Sequence, residues 1–240
     1  MISLDDVRVG AKDLIYTIDQ ASYEVKPENV KRALFNAAFS PNQELQPNGT
    51  VALALKPYVT KDLPHKSELY AYLLETNKQA EKGYRANLSC QSYWQAVYHI
   101  ESLHKRGLLE QFCIEPQTFL EWRTTRDRLY ALFHDGTGNY GMSWKTLSFA
   151  LLLIWPLTCD LVPVDRFVMA RFGLDGGSPQ EKKAYERVEQ LVIDERKEAG
   201  FENIPLGQWH WYKWEEYRQL QGKSLADGAV QSHRALCCFD

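Results

Sequence analysis

The chain has no basic excess. Its 240 residues carry 28 lysines and arginines against 31 aspartates and glutamates, for a formal charge of −3. The pI is near 6.1. Neutralising a phosphate backbone usually leaves a protein basic, so a broad basic binding face is not advertised. A local basic face is still compatible with acidic surface elsewhere. Long apolar runs are missing too. The longest, "FALLLIWPL" from Phe149 to Leu157, is too short to span a bilayer, so no membrane partner is expected. The N-terminus "MISLDDVRVGAK" has acidic residues where a signal peptide has basic ones, so no export signal is expected. The five cysteines, Cys90, Cys113, Cys159, Cys237 and Cys238, are odd in number and include no Cys-x-x-Cys pair. Reduced thiols in a cytoplasmic protein are the expectation. His99 and His104 lie five apart and miss the four-residue spacing of a helical metal pair, so neither metal nor cofactor is expected. No repeat, low-complexity tract or clear linker divides the chain.

What is present has a helical period. "VKRALFNAAF" (30–39) follows Pro27, and proline suits a first helical turn. "SELYAYLLETNKQAEKG" (67–83), "SYWQAVYHIESLHKRG" (92–107) and "PQTFLEWRTTRDRLYALF" (116–133) follow as predicted helices. In "SPQEKKAYERVEQLVIDERKEAG" (178–200), Ser178 is the predicted cap, Pro179 the first position and Glu181 the other half of a capping box. "HWYKWEEYRQL" (210–220) is predicted helical as well. The stretch 40–65 reads mostly as loop, with one short strand at "TVALAL" (50–55). The expectation is a single, mainly α-helical domain. Within it, 1–85 is a divergent and irregular N-terminal part, 86–220 a helical core and 221–240 a tail.

One segment carries chemistry. "GNYGMSWKTLSFALLLIWPLTCDLVPVDRFVMARFG" runs from Gly138 to Gly173. Lys145 opens its apolar helix and Asp165 follows the return loop, twenty positions later. A helix of about ten residues is roughly 15 Å long, so a return loop of similar reach can bring the two together. An amine made nucleophilic by burial or nearby cations can attack C1′ of a nucleotide and form a Schiff base. A carboxylate beside it stabilises the positive charge that grows on the sugar as the base leaves. Plainer readings exist for each residue. Asp165 also fits a helix N-cap, and Lys145 a solvated first-turn residue. Gln91 fits an ordinary helix position, the glycines fit loop punctuation, and the tryptophans near 209–214 fit a core.

This segment resembles the hairpin of the helix-hairpin-helix DNA glycosylases. Gly141-Met142-Ser143-Trp144-Lys145, the apolar helix after it and Pro163-Val164-Asp165 match the family's glycine, lysine, helix and P-V-D pattern. Leu88-Ser89-Cys90-Gln91-Ser92 looks like the family's L-S-x-Q segment, whose glutamine fills the gap left by an extruded base. The chain departs at Ser143, where the hairpin has its second glycine, and at Phe167, where the family often has histidine. The four-cysteine iron–sulfur loop of some members is absent.

The resemblance implies a helix-hairpin-helix glycosylase-like fold around the hairpin 136–173. It implies DNA as partner, a monomer, and base excision with lyase activity by Lys145 and Asp165. It implies backbone contacts to DNA at Gly138, Gly141 and Ser143, and a duplex-filling role for Gln91. Trp94, Tyr140, Trp144 and Trp211 are the expected base pocket, since an extruded base needs a stacking surface. Two alternatives stay open. One is group transfer to an activated base, as in the glycosylase-like proteins of phage thymine hypermodification. The other is a DNA-binding protein that does no chemistry.

Overall fold

The computed structural model describes residues 24–38, 55, 57–76, 91–134 and 140–220. Among these residues there are helices and turns but no strand. We number the helices α1 (Pro27–Ala38), α2 (Pro57–Thr60), α3 (Lys66–Thr76), α4 (Gln91–Lys105), α5 (Phe119–Phe133), α6 (Trp144–Ile154), α7 (Arg166–Arg171), α8 (Lys182–Glu198) and α9 (Leu206–Leu220). A 3-10 turn, Glu110–Phe112, lies between α4 and α5. The chain is mainly helical, as its periodicity predicts.

Two apolar clusters hold the helices. The first gathers Val30, Leu34 and Phe35 of α1, Val97 and Ile100 of α4, Leu129 and Phe133 of α5, and Leu147, Leu151 and Ile154 of α6. The second gathers Val162 and Val164 of the return loop, Val168 of α7, Tyr185, Val188 and Val192 of α8, and Trp209 of α9. Helix α6 is buried on most sides, which is why its sequence is apolar almost throughout. No helix among the described residues is long and apolar enough to cross a membrane.

The described residues of the N-terminal part hold helices α1, α2 and α3. Helix α1 packs directly against α6 and α4. Its Lys31 is buried and pairs with the buried Glu101 of α4 at 2.7 Å. Leu55 is helical where the end of a strand was expected, and Pro57–Thr60 forms a helical turn. Residues 50–54 lie outside the described residues.

The ends of α8 also differ from expectation. The helix begins at Lys182 with Glu181 in the cap position, and Glu181 makes no side-chain cap bond. The Ser178 hydroxyl is buried and has no hydrogen-bond partner. Thus Ser178-Pro179 fits the capping pattern in sequence, but the helix starts one turn later. Helix α5 does start on the expected chemistry. Thr118 accepts from the Glu121 N–H at 3.2 Å, and the Glu121 carboxylate accepts from the Gln117 N–H at 2.7 Å.

The turn after α6 is tied to the start of α9. Gly207 N–H donates to the Cys159 carbonyl at 3.0 Å, and Leu206 N–H donates to Asp160 at 2.9 Å. A Cβ on Gly207 would stand 2.4 Å from Leu152 Cδ1 and 2.9 Å from the Cys159 oxygen, so only glycine permits this approach. Among the described residues Cys113 and Cys159 are free thiols. Burial pushes the Cys113 thiol up to about 11, and it raises Cys159 as well. Neither is poised as a nucleophile.

Candidate active site at the seam between the two clusters

Lys145 is the second residue of α6. Ser143 caps that helix, its hydroxyl accepting from the Thr146 N–H at 3.3 Å and lying 3.0 Å from the Thr146 hydroxyl. Ser143 is therefore a working N-cap, and its side chain serves the helix. The cap uses the Thr146 N–H, so the earlier backbone N–H groups of the first turn do not depend on it. Gly141 has φ 75°, a left-handed conformation that favours glycine. Gly138 lies outside the described residues. Gln91 is the first residue of α4.

Asp165 is the N-cap of α7 and accepts from the Val168 N–H at 2.9 Å. The plain capping reading is therefore correct, but it uses only Oδ1. Lys145 and Asp165 are both half-buried. Burial lowers the Lys145 pKa, the Asp165 carboxylate opposes that shift, and Arg166 adds to it. The structure thus brings the two predicted residues into one electrostatic environment. No salt bridge joins them, so they do not neutralise each other by direct contact.

The setting of this pair is built by residues that the sequence does not flag. Tyr185 of α8 is fully buried and clamps both partners' supports. Its hydroxyl accepts from the Val164 N–H at 3.0 Å, just before Asp165, and donates to the Val162 carbonyl at 2.8 Å. The Ser148 hydroxyl of α6, three positions after Lys145, lies 3.1 Å from the same oxygen. Arg126 of α5 reaches Ser148 at 3.4 Å and Glu189 at 2.8 Å. Arg123 places Nε and Nη2 on the other Glu189 oxygen, both at 2.9 Å. Arg171, at the end of α7, pairs with Glu195 at 2.9 Å, and burial lowers its pKa while Glu195 and Asp165 oppose that shift. Lys145 and Arg171 thus both feel the Asp165 carboxylate, and Arg166 acts on Lys145.

Most of the expected base pocket is core. Trp94 is 3% exposed, Trp144 7% and Trp211 6%. Trp94 packs beside Tyr70 in the first cluster, with ring centroids 6.0 Å apart. Trp144 stacks on Tyr130 at 3.6 Å, with Arg126 and Lys182 also over its ring. Trp211 meets Trp214 edge-on at 5.8 Å. Rings packed this way leave no open face for a base, so large aromatics in amphipathic helices went to burial. Tyr140 is half-buried and stacks on His99 at 3.8 Å. A cavity of about 300 Å³ lies apart from all the predicted residues, between Glu115–Phe119 and Glu202–Pro205. Among the described residues no cluster of His, Cys, Asp and Glu is suited to a metal.

No family model matches the chain, and no curated protein or solved structure is significantly similar to it. The seam supplies a lysine amine of lowered basicity and a carboxylate held by a helix cap.

Proposed function

We propose that this chain is a DNA N-glycosylase with lyase activity. The observation that carries the reading is the Lys145–Asp165 pair at the starts of consecutive helices, with the lysine's basicity reduced by burial. A free amine at Lys145 attacks C1′, and Asp165 stabilises the positive charge on the sugar as the base departs. The backbone N–H groups at the start of α6, together with Arg166 and Arg171, support phosphate binding beside the reacting sugar.

The test uses a duplex with a single aldehydic abasic site, whose sugar carbon is open to any Schiff-base lysine. Sodium borohydride should trap wild-type protein on this duplex, and Lys145→Ala should abolish the adduct. A panel of damaged and modified duplexes then identifies the base released. Absence of any Lys145-dependent adduct would sink the lyase reading. Base modification without strand cleavage would move the assignment to group transfer.

A further inference from the structure

Helix α9 carries a polar ring that the chemistry above leaves unused. His210 is 3% exposed. Its neighbours Trp209 and Trp211 belong to the second and first apolar clusters, so the ring sits at their seam. Lys145 has the same placement, between Trp144 of the second cluster and Leu147 of the first. The His210 ring meets Phe167 at 6.1 Å, two residues after Asp165, and Trp211 at 5.8 Å. Its Nδ1 is buried and has no hydrogen-bond partner.

A buried nitrogen without a partner is unfavourable, and an apolar ring would fill the same space without that cost. The charged groups acting on it are Asp165 and Arg171 from α7 and Lys145 from α6. Burial holds it down to about 4, with Asp165 pulling up and Arg171 and Lys145 pushing down. At neutral pH the imidazole is therefore uncharged, with one nitrogen able to accept a hydrogen bond. No cation is added beside the sugar charge that Asp165 has to stabilise. Because the ring is buried, its influence on a substrate runs through its neighbours.

We propose that His210 is a positioning residue for Lys145: once DNA is bound, the imidazole accepts a hydrogen bond from the lysine amine and aims the amine's lone pair at the sugar carbon. The proposal rests on the glycosylase reading for its purpose, but the hydrogen bond can be tested separately. The first measurement is ¹⁵N NMR of the His210 ring in wild type and Lys145→Met, alone and with a duplex carrying a tetrahydrofuran abasic-site analogue. A ring-nitrogen resonance of the duplex-bound protein that moves on Lys145→Met beyond the change seen without duplex supports the bond, and one that does not overturns it.

The second measurement is borohydride trapping on the aldehydic duplex. His210→Phe should trap about tenfold more slowly at saturating duplex with unchanged half-saturation, as expected for a misaimed nucleophile. It should also melt no lower than wild type, and His210→Asn should recover most of the rate. Wild-type trapping by a folded His210→Phe overturns the proposal and leaves the glycosylase reading intact. Failure of wild type to trap at all sinks the glycosylase reading, and the NMR result then decides the bond alone.

Discussion

Replacing Glu189 by glutamine removes one charge from the most buried ionic contact behind the candidate site. Glu189 and Arg126 have fully buried side chains, and their charged atoms are 2.8 Å apart. The glutamine keeps the shape but leaves Arg126 with Glu186, at 3.9 Å and partly exposed, and with the weaker influence of Asp127. Arg123 loses its carboxylate too, but at 24% side-chain exposure it can turn toward water. Breaking a buried pair from one side costs about 3–5 kcal/mol. The remaining Glu186 places the expected loss near the lower end, about 3 kcal/mol. For a chain of this size that is roughly 6–12 °C in melting temperature. Urea unfolding followed by circular dichroism gives the first number and a thermal scan the second. The double variant Arg126→Met with Glu189→Leu should be less destabilised than Glu189→Gln, because no charge is stranded. A Glu189→Gln loss below about 1 kcal/mol would refute the argument, since the arginine would then not depend on this carboxylate.

Asp165→Asn keeps the cap on α7 but removes the charge, so melting should change little while single-turnover base release falls about a hundred- to a thousand-fold. Near-normal release by this variant would leave Asp165 as a cap alone. His210 adds an acid-sensitive component to stability. Its folded pKa, about 4, is depressed below the ordinary 6.5. Its contribution is therefore full above pH 6.5 and is lost as pH falls toward 4 and the unfolded chain takes up the proton first. The difference corresponds to about 3 kcal/mol. Urea unfolding at pH 7 and pH 4.5 should show a steeper loss for wild type than for His210→Phe, and equal losses would contradict the burial argument. Gly207→Ala should destabilise by about 1–3 kcal/mol, because its methyl group meets Leu152 and a backbone oxygen. A melting temperature equal to wild type would mean that α9 moves away freely.

The helices were legible because their apolar residues recur at helical spacing, as Trp94, Val97 and Ile100 do in α4. The cap at Asp165 was legible because aspartate preceded the helical stretch "RFVMARF". Ser178-Pro179 misled for the opposite reason: a good capping pattern lay one turn ahead of the helix that formed. The shared environment of Lys145 and Asp165 followed from chain reach, but the devices that hold it did not. Tyr185, Glu189 and His210 are 40, 44 and 65 positions from Lys145. Nothing local marks a tyrosine or glutamate in an amphipathic helix as a buried clamp. His210 sat in an aromatic run that reads as core, and only packing shows that its nitrogen is stranded there. The tryptophans show the same limit, since indole rings suit a stacking pocket and a core equally well.

Helix α1 lies outside the stretch that resembles the glycosylases, yet it covers the helix that carries Lys145. A shortened chain beginning at residue 86 would leave a flank of α6 in water and Glu101 without Lys31. Helix α1 therefore contributes to the core on which α6 is held. Substitutions of core residues on α1, such as Leu34 or Phe35, would disturb the packing that holds α6 and so the placement of Lys145. Such changes would look like active-site defects while touching neither the lysine nor the carboxylate.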